Sequence, residues 1–450
     1  MSFVFDPRDF GAVADGVTRD TAAVQAAIDA AAAQGGTVLL AGGRFCCGTL
    51  YLKSNLTLEI AAGAVLLASP DIADYGRDTH HNRYRNEPEL DRCFLFAADA
   101  EHIRLCGDGT IDGNAARFPN PGDICRPMML RMLRCRHVRL TGLHLVNAAA
   151  WTTAFLDSEF LHAADLYIEN HTNYNGDGLD FDGCRHVYVR GCHIQGTDDN
   201  LCLQSSGLPM EDVHISDCSF TSVCAGIRIG LKSIGPISNV VICNCTMRSI
   251  WREGIKIECS EGGSITDVMV HNIAMHNVRR PLFVILNNRF RPDDLGSSLE
   301  LDHMPPIGRI ARLHFAGITA VDDETMALTQ RRFDRDVMGS PAFGGCRFDA
   351  NVRHPIEDVT IRDFCYTAIG GVDPRTLPEE YPEVPDRLCT PDGPGSENYW
   401  PDWSRTTHLD LRNVRGLVTQ GLHFSLLHPD GRPAVLRQGC EDRPREVGST

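Results

Sequence analysis

A short run of alternating apolar and polar residues recurs along most of the chain. Central copies begin at Asp165, His186, Asp212, Asn239 and Asp267, at spacings of 21 to 28 residues. Such alternation predicts a strand with one buried face, and a repeat of this length predicts a solenoid. Because no long amphipathic helices alternate with the strands, a doubly wound α/β sheet and a TIM barrel are disfavoured. We therefore predict an all-β fold, a parallel β-helix.

The repeat also predicts the domain organisation. Each coil of a solenoid packs only on its neighbours, so a chain of 450 residues can form one domain. We expect a single domain over residues 1–450, with an N-terminal cap in 1–40. Core coils with an active-site groove are expected in 100–290, and loop-rich coils in 286–406.

The two ends of the predicted solenoid carry different signals. Asp20–Ile28 is predicted as a capping helix, because its alanines favour helix, Asp20 suits the N-cap and Gly35-Gly36 ends the run. The irregular later segments are rich in Pro, Gly, Asp and Arg. Long loops of this kind are often functional, and we expect them to wall one end of a groove, with Trp400 and Trp403 exposed.

Composition limits the partners that the chain can have. Its formal net charge is −16 and it lacks a basic run, so a nucleic-acid partner is disfavoured. No segment has the roughly 18 apolar residues that a membrane span needs, and residues 1–8 do not read as a secretory signal. The 18 cysteines lack a CxxC pair, which disfavours zinc, and we expect buried thiols in a reducing cytoplasm. No cofactor and no metal are expected.

Three carboxylates are the strongest candidates for chemistry. Asp177 lies just before one apolar alternation, and Asp198 and Asp199 lie just before the next one along the chain. Acids that recur at the same strand position one repeat apart repel each other and contribute little to packing. A solvated acidic edge would explain one of them, but a bond-cleaving carboxylate site explains all three.

Aligning four successive strands predicts which side chains share a face. The inward apolar pairs used for this alignment are Leu179/Phe181, Leu201/Leu203, Ile227/Ile229 and Ile255/Ile257. Residues between the members of a pair point away from the core, which places Arg228 beside Lys256 and puts Gln204 and Glu258 in a further column. The basic pair suits an anionic substrate; a surface salt-bridge ladder is the alternative.

At these residues the chain resembles glycoside hydrolase family 28, the polygalacturonases and rhamnogalacturonases. Asn175-Gly176-Asp177 is similar to the family's Asn-Thr-Asp motif, and Gly196–Asp199 is similar to its Gly-Asp-Asp motif with one residue inserted. The opening Asp9–Gly16 also looks like the start of this pectin-degrading superfamily. The resemblance covers about residues 5 to 290. It implies a right-handed β-helix.

The resemblance also implies roles for individual residues. It makes Asp198 the general acid and Asp177 and Asp199 the pair that activates water in an inverting hydrolysis. Asn175 is expected to orient a carboxylate or to bind sugar, and the remaining residues expected to bind substrate are Arg228, Lys256, Glu258, Gln204 and His171.

Two departures from the family pattern change the expected substrate. The family's Gly-His-Gly aligns with Cys224-Ala225-Gly226, so the histidine is replaced by Ala225, and its Arg-Ile-Lys aligns with Lys256-Ile257-Glu258. These departures favour a pectic or other uronic-acid linkage different from that of simple polygalacturonases. We expect an oligosaccharide substrate that contains uronic acid, and exo action on imported oligosaccharides.

Two other functions remain open on the same fold. In a Ca²⁺-dependent polysaccharide lyase the acids would bind the metal and Arg228 or Lys256 would abstract a proton. A non-catalytic carbohydrate-binding β-helix would explain the altered motifs as decay of activity. The retained acids favour hydrolysis over both.

Overall fold

The computed structural model describes residues 3–79, 90–118, 125–287, 306–326, 330–332, 335–337, 344–379 and 403–444. It contains one α-helix in these ranges, α1 (Thr21–Ala32). Short 3₁₀ helices lie at Pro7–Phe10, Ile72–Asp74, Ala115–Arg117 and Pro374–Thr376.

Strands make up most of the rest. Residues 3–222 contain β1 Val4–Phe5, β2 Asp15–Arg19, β3 Thr37–Leu40, β4 Arg44–Cys47, β5 Leu50–Tyr51, β6 Thr57–Ile60, β7 Val65–Ala68, β8 Cys93–Ala98, β9 Glu101–Cys106, β10 Thr110–Asp112, β11 Met128–Leu133, β12 Arg136–Thr141, β13 His144–Val146, β14 Thr153–Leu156, β15 Glu159–Ala164, β16 Tyr167–Glu169, β17 Leu179–Asp182, β18 Arg185–Arg190, β19 His193–Gly196, β20 Leu201–Ser205, β21 Met210–Ser216 and β22 Ser219–Ser222. Residues 223–444 contain β23 Ile227–Ser233, β24 Pro236–Cys259, β25 Ser264–Leu286, β26 Arg309–Val321, β27 Gln330–Arg332, β28 Arg335–Val337, β29 Cys346–Ala350, β30 Ile356–Gly370, β31 Leu409–Arg412, β32 Val414–His428, β33 Val435–Gln438 and β34 Glu441–Asp442.

The strands stack as the coils of a solenoid. Each of β8 to β11 pairs in parallel with the strand three places later, so one coil contributes three strands. The same pairing continues through β15–β18 and β18–β21. Connections between parallel strands are almost always right-handed, and the fold is a right-handed parallel β-helix. The predicted fold class is therefore confirmed.

A left-handed backbone corner lies near the start of many strands. The second or third residue of β9, β12, β15, β18 and β21 has a φ between 50° and 60°; these residues are His102, His137, Phe160, His186 and Asp212. Side chains other than Gly, Asn and Asp rarely adopt this conformation, and the apolar pattern gave no sign of it. The residue that follows each corner is an inward apolar one, and the equivalent side chains stack along the core.

The chain divides into two compact units. One comprises residues 3–203 and 208–220, and the other comprises residues 204–207 and the described residues from 221 onward. The expectation of one domain stays a prediction. Coil stacking begins earlier than the predicted core at 100–290, because β1 pairs with β3 and β3 pairs with β6.

The predicted N-terminal helix is present and longer than expected, since α1 ends at Ala32. Asp20 occupies the N-cap position, but its carboxylate does not bond to the first turn. Its two oxygens accept hydrogen bonds from the backbone N–H groups of Val13 (2.7 Å) and Ala14 (3.0 Å). Asp20 therefore holds the preceding loop rather than capping the helix as predicted.

The predicted loop-rich region contains long strands. β26 pairs with β25, and β30 pairs with β26, so the coils continue through this region. Within 286–406, residues 288–305, 327–329, 333–334, 338–343 and 380–402 lie outside the described ranges, and the expectation for Trp400 falls among them. Trp403 is half-buried rather than exposed.

The cysteines agree in part with the prediction of buried thiols. The described cysteines are all free thiols, and most are buried, including Cys192, Cys218 and Cys245 from three successive repeats. No helix of the described chain is both long and apolar enough to cross a bilayer.

One buried carboxyl group makes the folding stability of the protein depend on pH. Asp322 is 3% exposed, and its Oδ2 accepts hydrogen bonds from Ile369 N (3.1 Å) and the Tyr366 hydroxyl (3.3 Å). Burial raises the pKa of Asp322 to about 7. The folded state therefore binds this proton more tightly than the unfolded chain, and the associated stability is lost as pH rises from about 4 through 7.

Replacing Asp322 with asparagine removes this titration while keeping an oxygen that can accept both hydrogen bonds. We expect the Asp322→Asn variant to be more stable than the parent at pH 8, by on the order of 4 kcal/mol at most, and to keep less than half of that advantage at pH 5. Thermal and urea unfolding at both pH values measure this difference. A variant that is less stable than the parent at pH 8 would contradict the assignment.

Candidate active site

The three aspartates lie on two consecutive coils of the first unit. Backbone hydrogen bonds join the segments that carry them: Gly178 N donates to Asp199 O (3.2 Å), and Leu179 N donates to Asn200 O (2.9 Å). Adjacent parallel strands are about 4.8 Å apart, so Asp177 and Asp199 lie one strand spacing from each other. The structure thus brings together the two motifs that the sequence singled out.

The three carboxylates differ in exposure. Asp177 is 6% exposed and Asp199 is 1% exposed, whereas Asp198 is half-buried. Asp198 Oδ1 accepts a hydrogen bond from Asp199 N (3.0 Å), which fixes the rotation of the Asp198 side chain. Asp198 is therefore the member of the set that a large molecule can reach most easily.

Buried polar groups outside the motifs hold the loop that leads to Asp177. Arg126 donates from Nη2 to Asn175 Oδ1 (2.8 Å) and from Nη1 to Tyr174 O (2.9 Å). Asn173 donates to Phe118 O (2.7 Å) and to Ala149 O (3.0 Å). Asn175 is therefore anchored by Arg126. Sequence reasoning missed both Arg126 and Asn173, because their partners lie far from them along the chain.

The two departures within the aspartate motifs are coupled to each other. The hydroxyl of Thr197, the inserted residue, donates to Asn173 O and accepts from Gly176 N (3.1 Å). A Cβ atom at position 176 would lie 2.3 Å from Thr197 Oγ1 and 3.0 Å from Asn170 Cβ. The space left by Gly176 is therefore filled by the Thr197 hydroxyl, which ties one aspartate segment to the other.

This coupling predicts the effect of a Gly176→Ala substitution. The added methyl group must displace the Thr197 side chain, and we expect a loss of stability of about 1–3 kcal/mol together with reduced activity. In the double variant Gly176→Ala/Thr197→Ala the clash is relieved, so the combined loss should be smaller than the sum of the single losses. Urea unfolding of the four proteins checks this, and strict additivity would contradict the coupling.

The second unit contains the predicted basic pair. Arg228 on β23 is in register with Lys256 on β24, and Gly230 is in register with Glu258. The predicted alignment of these two strands is therefore confirmed. The side chain of Lys256 is only 3% exposed and that of Arg228 is 17% exposed, so any ladder of salt bridges through this pair is buried rather than at the surface.

Carboxylates neutralise part of this charge. Glu258, 1% exposed, forms ion pairs with Arg228 (2.9 Å) and Lys256 (3.2 Å). Glu253 lies within 3.6–3.7 Å of Arg252, Lys256 and Arg280. Glu258, which was expected to bind substrate, is thus a partner of both cations; Arg280 on the next coil enlarges the cluster. The basic cluster comprises Arg228, Arg252, Glu253, Lys256, Glu258 and Arg280.

Gln204 and His171 were also predicted to bind substrate. Gln204 on β20 is 4% exposed. His171 lies 3.1 Å from Glu169 through its Nε2 atom, and its side chain is 56% exposed. Their roles in substrate binding stay predictions.

Fold and site together are a parallel β-helix that holds three carboxylates on two consecutive coils. Comparisons with known proteins show which family the chain resembles. A model of glycosyl hydrolases family 28 matches residues 71–292. The match supports the assignment of the chain to this family.

Individual relatives agree with this assignment. The chain is 26% identical over 310 residues to the "Probable polygalacturonase" of Vitis vinifera, which covers 60% of each sequence. It is 35% identical over 118 residues to the exo-poly-alpha-D-galacturonosidase of Dickeya chrysanthemi, covering 25% of this chain and 19% of that protein. The chain spans only three-fifths of the length of the curated polygalacturonases.

Solved structures share the fold. The family 28 exopolygalacturonase of Yersinia enterocolitica superposes with a TM-score of 0.72 and 17% identity, covering 98% of this chain and 78% of that one. At this identity the likeness concerns the fold alone, and it agrees with the right-handed β-helix.

Proposed function

We propose that this protein is a glycoside hydrolase that cleaves a glycosidic bond in pectic or related uronic-acid-containing oligosaccharides. The observation that carries the proposal is the set Asp177, Asp198 and Asp199, held on consecutive coils by the Gly178 N–Asp199 O hydrogen bond. The match to the family 28 model and the names of the matched relatives support the same substrate class.

The differences among the three acids suit an inverting hydrolysis. Such a reaction needs one carboxyl group to protonate the leaving oxygen and another to activate water on the opposite face of the sugar. Asp198 is the more accessible acid and acts as the proton donor. Asp177 and Asp199 are buried, and together they hold and deprotonate the attacking water.

The basic cluster supplies the recognition of uronic acid. It contains four cations, Arg228, Arg252, Lys256 and Arg280, and two carboxylates, Glu253 and Glu258. A substrate carboxylate is attracted to such a site, and guanidinium groups bind carboxylates with charge-assisted hydrogen bonds. Glu258 already pairs with Lys256 and Arg228. A substrate carboxylate must therefore compete with Glu258 for these two cations.

The same ion pairs weigh against a lyase. A lyase needs a basic side chain with an available lone pair to abstract a proton. Lys256 and Arg228 instead serve as cations in ion pairs with Glu258. A cation has no lone pair with which to abstract a proton.

The later coils of the second unit support exo action. Along one face, Lys256 is in register with Phe283, and Phe283 is in register with Arg347. Arg347 donates to Trp403 O (2.8 Å), and Arg405 binds Asp410 through two hydrogen bonds (2.9 and 2.7 Å). The segment 403–407 therefore covers this face, and a substrate chain that lies along it must end before Arg347.

A cytoplasmic location is also part of the proposal. Free, mostly buried cysteines among the described residues suit a reducing compartment. An oligosaccharide that enters the cell would then be the substrate, rather than a polymer outside it.

Stereochemistry tests the proposed mechanism. Proton NMR of the first product formed should show an anomeric configuration opposite to that of the cleaved bond. Time courses on oligogalacturonides and rhamnogalacturonan fragments should release one short product from the chain end. Retention of configuration would contradict the roles of the aspartates, and a broad ladder of early products would contradict exo action.

A further inference from the structure

One stack of strands in the first unit carries a column of outward side chains whose charges alternate. The stack consists of β9, β12, β15, β18 and β21, which pair in register. The column consists of Glu101, Arg136, Glu159, Arg185 and Glu211, so the charge changes sign at every strand. Glu159 forms ion pairs with both Arg136 (3.4 Å) and Arg185. Opposite charges on adjacent strands stabilise a sheet, whereas like charges destabilise it.

A second column on the same stack breaks this rule. Arg104, Arg139 and His162 are in register on β9, β12 and β15, so they follow one another at steps of about 4.8 Å. His102 and His137 lie two residues before the arginines, with ring centroids 4.8 Å apart and ring planes within 2° of parallel. These five residues are called the basic strip.

The basic strip has no acidic partner. Four of its side chains are exposed, and that of His162 is half-buried. None of the five forms an ion pair with a described carboxylate. Glu101 and Glu159, the acids on the same three strands, belong to the alternating column. Glu59 on β6 is in register with Cys106 rather than with an arginine of the strip.

The side chains of the strip act on one another electrostatically. Burial lowers the pKa of His162, and the charges of Arg139 and His137 lower it further. The strip is therefore a region of positive potential on a chain whose formal net charge is −16. Such a column of like charges opposes folding, and a local conflict of this kind is expected where a ligand uses it.

The geometry of the strip specifies the kind of anion. A register column runs along the axis of the solenoid, so Arg104 and Arg139 lie one strand spacing apart on a straight line. Guanidinium groups bind carboxylates through charge-assisted hydrogen bonds. A chain of uronic acids carries one carboxylate on each sugar unit, and each unit spans roughly one strand spacing, about 4.8 Å. A linear acidic saccharide therefore matches the strip in both charge and spacing.

We propose that the basic strip binds an acidic oligosaccharide chain at the surface, with Arg104 and Arg139 holding the carboxylates of successive sugar units. The strands that follow the aspartates, β17 and β20, belong to a different stack, so this surface site is separate from the candidate active site. The choice of a uronate rests on the proposed function, whereas the choice of a linear anion rests on the strip itself. Binding here keeps the protein on a chain between cleavage events and raises its effective concentration there.

NMR of the full chain labelled with ¹³C in its histidine rings tests this proposal locally. The signals absent from His137→Gln and His162→Gln variants identify these two residues. Hexagalacturonate is added to the Asp198→Asn protein, so that the proposed reaction does not consume the probe. Its fully methyl-esterified form and poly-L-glutamate are added in parallel. We expect both signals to shift with hexagalacturonate, and both comparison probes to bind about tenfold more weakly or worse.

Two double variants with the same change in net charge separate the strip from general electrostatic attraction. Arg104→Gln/Arg139→Gln should weaken the binding of hexagalacturonate about tenfold or more. Arg136→Gln/Arg185→Gln removes two cations from the alternating column and should change the binding by less than about twofold. The first variant should also unfold at no lower a temperature than the parent, because it removes a like-charge contact. Equal losses of binding in the two variants would overturn the strip as a site.

The remaining outcomes distinguish the strip from the proposed reaction. If the parent protein releases no product from any oligosaccharide but the histidine signals still shift, the reaction fails and the strip stands. If product is released and the signals do not shift, the strip fails and the reaction stands. An equal response to the methyl ester or to poly-L-glutamate also overturns the strip as a site for acidic saccharides.

Discussion

Replacing Asp198 with asparagine is expected to lower turnover by about 10²–10⁴-fold, the contribution typical of a positioned general acid. An amide cannot donate the proton that the leaving oxygen needs, yet it keeps the size of the side chain and an oxygen for the Asp199 N–H. Initial rates on an oligogalacturonide, with KM determined separately, measure the effect. Binding should change little, so the loss should appear in kcat.

An exposed acid elsewhere in the same unit serves as the control. Asp217 is 46% exposed and forms an ion pair with Arg190, so Asp217→Asn should retain the rate of the parent. A rate within a few fold of the parent for Asp198→Asn would remove Asp198 from the role of proton donor. Recovery of turnover with a substrate whose leaving group needs no proton would support that role.

Replacing Glu253 with glutamine is expected to destabilise the protein by about 3–5 kcal/mol, because breaking a buried ion pair leaves charges without compensation. Glu253 is fully buried and faces Arg252, Lys256 and Arg280 at 3.6–3.7 Å. Its loss leaves the three cations with Glu258 as the remaining carboxylate of the cluster. Thermal unfolding at pH 7 measures the change.

A matched exposed pair gives the comparison for Glu253. Asp99 binds Arg134 at 2.6 Å, but the two side chains are 63% and 49% exposed. Asp99→Asn should cost about 1 kcal/mol or less, as is usual for surface pairs. Equal effects of the two substitutions would show that the cluster around Glu253 is solvated rather than buried.

The repeat pattern predicted the fold well because inward apolar positions follow directly from packing between coils. The pairs used for alignment, such as Ile227/Ile229 and Ile255/Ile257, are fully buried and in register. The pattern gave no sign of the left-handed corners at residues such as Phe160 and Arg312. A corner of this kind is imposed by the strands on both sides, so local residue preferences do not reveal it.

The candidate site was predicted less completely. The motifs gave the aspartates and the register of Arg228 with Lys256. They did not show that Glu258 pairs with both cations. Aligned strands show which residues are neighbours, but they do not show the rotamers that charged side chains adopt. They also missed Arg126, whose partner Asn175 lies 49 residues away, since contacts between distant loops leave no local pattern.

Mass spectrometry of the products from defined uronic-acid oligosaccharides, with and without a chelator, tests the central claim most directly. A hydrolase adds one water for each bond cleaved, and the proposal predicts this gain at the same rate in the presence of the chelator. Products that lack the added water, formed only with Ca²⁺, would contradict hydrolysis and reassign the aspartates as metal ligands.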